Sequence, residues 1–181
     1  MALKNTKTSY GWASRFLHWF IFLAVAGMLA VGLYMEDQKI TPDILKLYGL
    51  HKSVGITILA LAVLRLIWAV SNTAPDMLGL EKPWEKLAAR TVHGLLYLCL
   101  FLMPLSGWLM SSAAGYPVSV FGLVTLPNLV EPSKALHELA EETHELVAYG
   151  FMGLIAAHAG AAFLHHFKKK DRTLIRMIKG E

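Results

Sequence analysis

Four long apolar stretches constrain the fold of this chain more than any other feature of its sequence. Each is close to the roughly 20 residues that a helix needs to cross the hydrocarbon core of a bilayer. Of the 181 residues, 55% are hydrophobic and only 17% are charged, a balance unlike that of a soluble domain. The sequence therefore predicts an all-α integral membrane protein, a four-helix bundle that forms one domain over residues 1–181.

The predicted helices cover approximately residues 16–35, 50–70, 91–111 and 140–167. The fourth begins ahead of its apolar core, because the segment that follows Pro132 has helical character. Lys and Arg are concentrated before the first helix, in the second connection and after the fourth helix, and basic residues favour the cytoplasmic side. Both termini are therefore predicted to be cytoplasmic. Because six of the basic residues lie in the last fifteen positions, as a tail and not as a face, the sequence does not favour nucleic-acid binding.

The composition excludes several kinds of metal and cofactor site. Cys99 is the only cysteine in the sequence, which rules out structural disulfides, thiolate metal cages and covalent attachment of a c-type haem through C-x-x-C-H. Histidines, in contrast, are numerous, and five of the eight fall within or at the ends of the predicted membrane spans. An ionisable side chain inside a bilayer is costly unless it faces the bundle interior or a ligand, so these histidines are candidates for function.

The depths of four histidines predict two pairs. His18 lies at the cytoplasmic end of the first helix, whereas His51 begins the second helix on the opposite side. On the fourth helix His158 follows His144 by 14 residues, which is close to four turns and about 21 Å, so both point to nearly the same face. We therefore expect His18 to face His158 and His51 to face His144. Two neutral imidazoles opposite each other are what a six-coordinate b-type haem requires, and two such pairs predict two haems.

Several glycines would let a flat macrocycle approach the helix backbones, although small residues also serve ordinary helix packing. These are Gly55, Gly94, Gly150, Gly153 and Gly160.

Three further residues lie at the depth of the cytoplasmic-side pair. Arg65 follows His51 by 14 residues and could pair with a haem propionate, or it could extend to the interface. His93 and Arg90 could bind a quinone carbonyl, and His93 is also the rival of His18 as a haem ligand. A solvated surface role is predicted for His137, and contacts with lipid headgroups are predicted for His165 and His166.

Short segments in all four helices resemble the bacterial cytochrome b561 proteins, which are related to the cytochrome b subunits of nickel-iron hydrogenase and formate dehydrogenase. They are Arg15-Phe-Leu-His-Trp, Leu50-His-Lys-Ser-Val-Gly, His93-Gly-Leu-Leu-Tyr, Pro104-Leu-Ser-Gly, His144-Glu, His158 and His165-His-Phe, with Lys170-Asp-Arg-Thr-Leu-Ile-Arg-Met at the end. The resemblance implies two haems b held by His18, His51, His144 and His158. It also implies electron exchange with ubiquinone in the bacterial inner membrane, and one branch of the family is similar to superoxide oxidase.

Three hypotheses about function follow. The first is a di-haem cytochrome that transfers electrons between a small periplasmic donor, such as superoxide, and ubiquinone. For a small anion the outer mouth should be electropositive, and the basic candidates there are Lys39, Lys46, Lys52 and Lys134. The second is an anchor subunit that links a hydrogenase or dehydrogenase partner to the quinone pool. The third is a non-redox transporter or scaffold, embedded in lipid, whose histidines bind protons or a divalent metal.

Overall fold

The computed structural model describes residues 2–180 and is all-α in its main architecture. The four long helices are α1 (Trp12–Glu36), α2 (Pro42–Val70), α3 (Pro83–Ala113) and α4 (Lys134–Leu164). A π-helical turn (His165–Lys169) and a short helix α5 (Thr173–Lys179) follow α4, and a small hairpin of β1 (Ser119–Val120) and β2 (Val124–Thr125) lies in the third connection. Within residues 2–180, four helices are long and apolar enough to cross a membrane, so the predicted fold class, a four-helix membrane bundle, is confirmed.

Two helices begin well before their apolar stretches. Helix α2 starts at residue 42 and α3 at residue 83, each with proline at the first position, where the missing N–H is not needed. The hydroxyl of Thr41 accepts a hydrogen bond from the N–H of Ile44 at 3.3 Å, and the carboxylate of Glu85 accepts from the N–H of Glu81 at 3.1 Å. Polar caps of this kind allow helical hydrogen bonding outside an apolar segment, so the connections are shorter than predicted.

Helix α4 confirms the expected helical character of the segment after Pro132, and it begins at residue 134, where the sequence predicted 140. The Ser133 hydroxyl accepts a hydrogen bond from the N–H of Leu136 at 3.4 Å and caps this start. The regular α-helix ends at residue 164, and the π-helical turn that follows is capped by Lys170, which has a left-handed φ of 55°.

The described chain forms two compact units. The first unit comprises the residues up to Ile21, Leu61–Leu98, and the residues from Phe151 onward. The second unit comprises Phe22–Ala60 and Cys99–Gly150. Each unit therefore contains one segment from each of the four long helices. Large apolar side chains are exposed along these helices, as expected for surfaces that face lipid and not water.

In the first unit the C-terminal segment is bound by polar contacts. The Arg15 guanidinium donates to the carbonyl of Ile178 at 2.8 Å, and the Trp19 indole donates to the carbonyl of Met177 at 2.9 Å. Arg176, which is buried, donates to the carbonyl of Asp76 at 2.9 Å. These contacts attach α5 to α1 and to the α2–α3 connection.

In the second unit the hairpin is attached to α2 through one buried serine. The Ser53 hydroxyl accepts from the N–H of Phe121 at 3.0 Å and lies 3.0 Å from the carbonyl of Ser119. Phe121 and Gly122 both have positive φ, 50° and 73°, which lets the chain reverse between the two strands. The hairpin is thereby held beside α2 at Ser53, which follows His51 by two residues.

Candidate functional site

Four ionisable side chains, one from each long helix, meet in the first unit. They are His18 from α1, Arg65 from α2, His93 from α3 and His158 from α4. The ring centre of His158 is 6.1 Å from that of His18 and 5.1 Å from that of His93. The structure thus brings His18 and His158 together, as the depth argument predicted, and it brings His93 to the same cluster.

Arg65 contacts His18 directly. One terminal nitrogen of the guanidinium, Nη2, lies 3.1 Å from Nδ1 of His18, and Nε donates to the hydroxyl of Tyr97 at 3.3 Å. Arginine has no lone pair to accept with, so Nδ1 of His18 is the acceptor in this contact. The other terminal nitrogen, Nη1, is buried and has no hydrogen-bond partner among the described residues. An uncompensated buried guanidinium nitrogen is costly, and an anionic oxygen would satisfy it.

The second unit contains the other predicted pair. The ring centres of His51, from α2, and His144, from α4, are 6.5 Å apart. Two residues of helix α3 contact the His144 ring. The Ser106 hydroxyl lies 3.0 Å from Nδ1. Gly107 is so close that an added Cβ would meet the ring at 3.3 Å. Nδ1 of His51 is buried without a partner among the described residues.

The spacing of both pairs fits ligation of one metal ion from opposite sides. With metal–nitrogen bonds of about 2 Å on each side, two imidazoles have ring centres roughly 6 Å apart. The pairs His18–His158 and His51–His144 match this separation, at 6.1 and 6.5 Å, whereas His93 and His158 are closer, at 5.1 Å. The geometry therefore favours His18 over its rival His93 as the partner of His158.

The donor set also fits a haem better than a bare metal ion. Within residues 2–180 no group of three or more His, Cys, Asp or Glu side chains is arranged to hold a metal ion. Two imidazoles alone leave most coordination positions of a metal unfilled, and a porphyrin supplies the other four. The rings of His18, His51, His144 and His158 are only half-buried, so part of each ring is not covered by protein.

The predicted glycines differ from tight helix-packing positions. A Cβ added at Gly94, Gly150, Gly153 or Gly160 would have nothing within 4 Å, so none of these four mediates a close contact with a neighbouring helix. Gly55 is in ordinary contact with a methionine side chain of α1. The helix-packing alternative is therefore not supported for these four positions, and open space beside their backbones is compatible with a flat ligand.

Other predicted residues have mixed outcomes. Arg90 is exposed in the first unit, as is His93.

His137 is half-buried, and its Nδ1 lies 3.1 Å from the carbonyl of Met110. It therefore attaches α4 to α3 and also faces solvent. The prediction of a lipid-headgroup contact is wrong for His165, because this side chain is 9% exposed and is hydrogen-bonded to Asp171.

Two polar residues at the histidine sites were not singled out from the sequence, namely Ser106 and Tyr97. Ser106 lies in the Pro104-Leu-Ser-Gly segment that carries part of the family resemblance, which was the available signal. Tyr97 is the last residue of the His93-Gly-Leu-Leu-Tyr segment, so the same resemblance was its signal, although one tyrosine in an apolar helix is otherwise ordinary.

Comparisons with known proteins show what the chain is similar to. The family described as prokaryotic cytochrome b561 matches the chain over residues 9–180. The chain is 37% identical over 179 residues to cytochrome b561 homolog 2 of Escherichia coli (strain K12), which covers 98% of this chain and 95% of that protein. It is 33% identical to cytochrome b561 homolog 1 of the same organism, over 90% of this chain and 93% of that protein. It is also 30% identical to a Yersinia pestis protein named probable superoxide oxidase CybB, over 71% and 73% of the two chains.

Proposed function

The chain belongs to the prokaryotic cytochrome b561 family, and from this premise we propose that it is a di-haem b cytochrome of the bacterial inner membrane. It would transfer electrons from a small periplasmic donor, superoxide, to ubiquinone. Family membership implies haem b and a multi-pass bacterial membrane protein. Two haems per chain, the donor and the acceptor are the proposal. Family membership also argues against the non-redox transporter.

One observation carries the proposal: each unit contains a histidine pair with the separation that two-sided ligation of a metal requires. His18 and His158 would hold one haem, and His51 and His144 would hold the other. Each bound haem supplies one-electron exchange at its iron, and the protein contributes ligation, orientation and electrostatics. The buried Nη1 of Arg65, which lacks a partner among the described residues, is suited to a propionate carboxylate.

The donor is proposed from charge and from a relative. Lys52 directly follows His51, is half-buried, and donates to the Ser111 hydroxyl at 3.1 Å. In the described part of the chain it has no carboxylate partner, whereas Lys46 and Lys134 are paired with Asp43 and Glu138. A cation that is not neutralised can attract a small anion. One relative is named a probable superoxide oxidase, which favours superoxide as that anion.

The acceptor is proposed to bind beside the first-unit pair. His93 and Arg90 are exposed in that unit, so both side chains are accessible to a molecule dissolved in the membrane. Each can donate a hydrogen bond to a quinone carbonyl. Overall, two superoxide anions would give two molecules of oxygen, and one ubiquinone would take up two electrons and two protons to give ubiquinol.

The test uses the purified full-length protein. We expect two haems b per chain, reduction of both by a short pulse of superoxide, and reoxidation by a soluble ubiquinone analogue. A colourless protein, or one haem per chain, contradicts the proposal. A di-haem protein that superoxide does not reduce, and that copurifies with a hydrogenase or dehydrogenase, would replace it with the anchor-subunit hypothesis.

A further inference from the structure

The Ser106 hydroxyl has two polar neighbours and only one hydrogen. It donates to the carbonyl of Met103 at 3.0 Å, within the same helix, and it lies 3.0 Å from Nδ1 of His144. A carbonyl oxygen only accepts, so the single hydroxyl hydrogen is used for Met103. The contact with His144 must therefore run the other way, with Nδ1–H as the donor and the serine oxygen as the acceptor.

This assignment of the proton leaves the other ring nitrogen of His144 free. A neutral imidazole that donates from Nδ1 keeps its lone pair on Nε2.

Helix α3 also provides the space that the ring needs. Ser106 is 8% exposed, so bulk water does not compete for its hydrogen bonds. Gly107 follows it, and a Cβ at that position would meet Cε1 of His144 at 3.3 Å, tighter than most contacts in proteins. The absence of a side chain at residue 107 lets the imidazole lie against the helix while the neighbouring hydroxyl holds its Nδ1–H.

We propose that Ser106 is a positioning residue that holds His144 with Nε2 free to ligate iron and makes that nitrogen a stronger donor. This inference rests on the proposed di-haem function, because it requires His144 to be a ligand. A hydrogen bond from the distal ring nitrogen of a metal-bound histidine fixes its orientation and raises its basicity. A more basic ligand stabilises ferric iron, so Ser106 lowers the midpoint potential of the haem held by His144.

The test is a redox titration of the purified full-length protein and three variants. In Ser106→Ala we expect both haems to remain and one midpoint potential to shift upward, with the other unchanged. Ser106→Thr keeps the hydroxyl and should keep the wild-type potentials. The matched control is Ser112→Ala, which removes a buried hydroxyl of the same helix that bonds to Trp108 and Leu129 and not to a histidine.

Each outcome decides one question. Unchanged potentials in Ser106→Ala, or equal shifts in the alanine and threonine variants, overturn the role of the hydroxyl. If Ser106→Ala loses one haem, retention of that haem in Ser106→Thr supports the role, and loss in both variants overturns it. Failure of the proposed function is seen separately, in the wild-type protein, as fewer than two haems per chain.

Discussion

The two units contain histidine pairs with nearly the same spacing but opposite polar surroundings. In the first unit the neighbour of His18 is Arg65, a cation that can only donate. In the second unit the neighbour of His144 is Ser106, a neutral hydroxyl that accepts. A positive charge near iron favours the reduced form, and an acceptor on a ligand histidine favours the oxidised form. If each pair holds a haem as proposed, the comparison predicts a higher midpoint potential for the first-unit haem, and electron transfer to it from the second-unit haem would be downhill.

The contact with Arg65 has a further consequence for His18. A neutral imidazole has one lone pair, and in this structure the lone pair on Nδ1 of His18 accepts from Arg65. Ligation through Nε2 requires Arg65 to release Nδ1, and the same guanidinium already has a nitrogen without a partner among residues 2–180. His144 has no such conflict, because its Nδ1 is the donor. In this structure His144 is thus prepared for ligation through Nε2, and His18 is not.

The largest expected effect is the loss of one haem when one histidine of either pair is replaced. His144→Ala and His158→Ala should each lose one haem and retain the other, because the two pairs lie in separate units. Haem content per chain and the reduced-minus-oxidised spectrum measure this. His137→Ala is the control and should keep both haems. If His93→Ala lost a haem while His18→Ala did not, the assignment of the first-unit ligands would be wrong.

A smaller effect is expected on the rate of reduction by superoxide. Lys52→Gln should lower the second-order rate constant by about tenfold at low ionic strength, since electrostatic steering contributes factors of roughly 10 to 1,000. The difference should shrink as salt is added, because salt screens the long-range attraction between the protein and an anion in water. Lys46→Gln is the matched control and should leave the rate constant nearly unchanged, because Lys46 is already paired with Asp43. Equal rate constants for the two variants would show that Lys52 is not part of the proposed donor site.

The potential difference between the units can be tested from the first-unit side. Arg65→Gln removes a positive charge beside His18 and should lower one midpoint potential, by an amount on the order of tens of millivolts. Arg65→Lys retains the charge and should retain most of the potential. A redox titration measures both variants. An upward shift in Arg65→Gln would contradict the electrostatic account of the difference between the units.

The smallest effect concerns the C-terminal segment of the first unit. Burial acts to raise the pKa of Asp171, but hydrogen bonds from Thr173 and His165 outweigh it and hold that pKa below the ordinary value of 3.8. A carboxyl with a lowered pKa stabilises the folded state above its ordinary pKa, and this stabilisation is lost as the pH falls through the lowered value. Asp171→Ala should therefore destabilise the protein by about 1 kcal/mol at pH 7.

Thermal unfolding in detergent across a pH series measures this difference. The wild type and Asp171→Ala should converge below pH 3.8. A constant difference from neutral to acidic pH would show that the ionised carboxylate is not responsible. Lys46→Gln, which alters an exposed ion pair of the second unit, serves as the comparison and should change stability little at any pH.

The fold class and the histidine pairs followed from the sequence because both depend on regular periods. An apolar stretch of about 20 residues specifies a membrane helix, and a 14-residue separation specifies two histidines on one helix face. The helix ends were predicted less well, since Thr41, Glu85 and Ser133 extend helices into polar segments. Such caps depend on local hydrogen bonds and not on periodicity. His165 was also misplaced, because its partner Asp171 meets it only through the π-helical turn.

By itself the sequence determined which residues can be ligands and how they are distributed along the four helices. Only the tertiary structure decided what lies against each of them: Arg65 beside His18, and Ser106 with Gly107 beside His144. The physical reason is that helical rise fixes the depth of a side chain along its own helix, whereas the rotation and approach of neighbouring helices depend on the packing of the whole bundle. That packing decides whether Nδ1 of a histidine donates or accepts a hydrogen bond. It therefore also decides whether Nε2 is left free to bind iron.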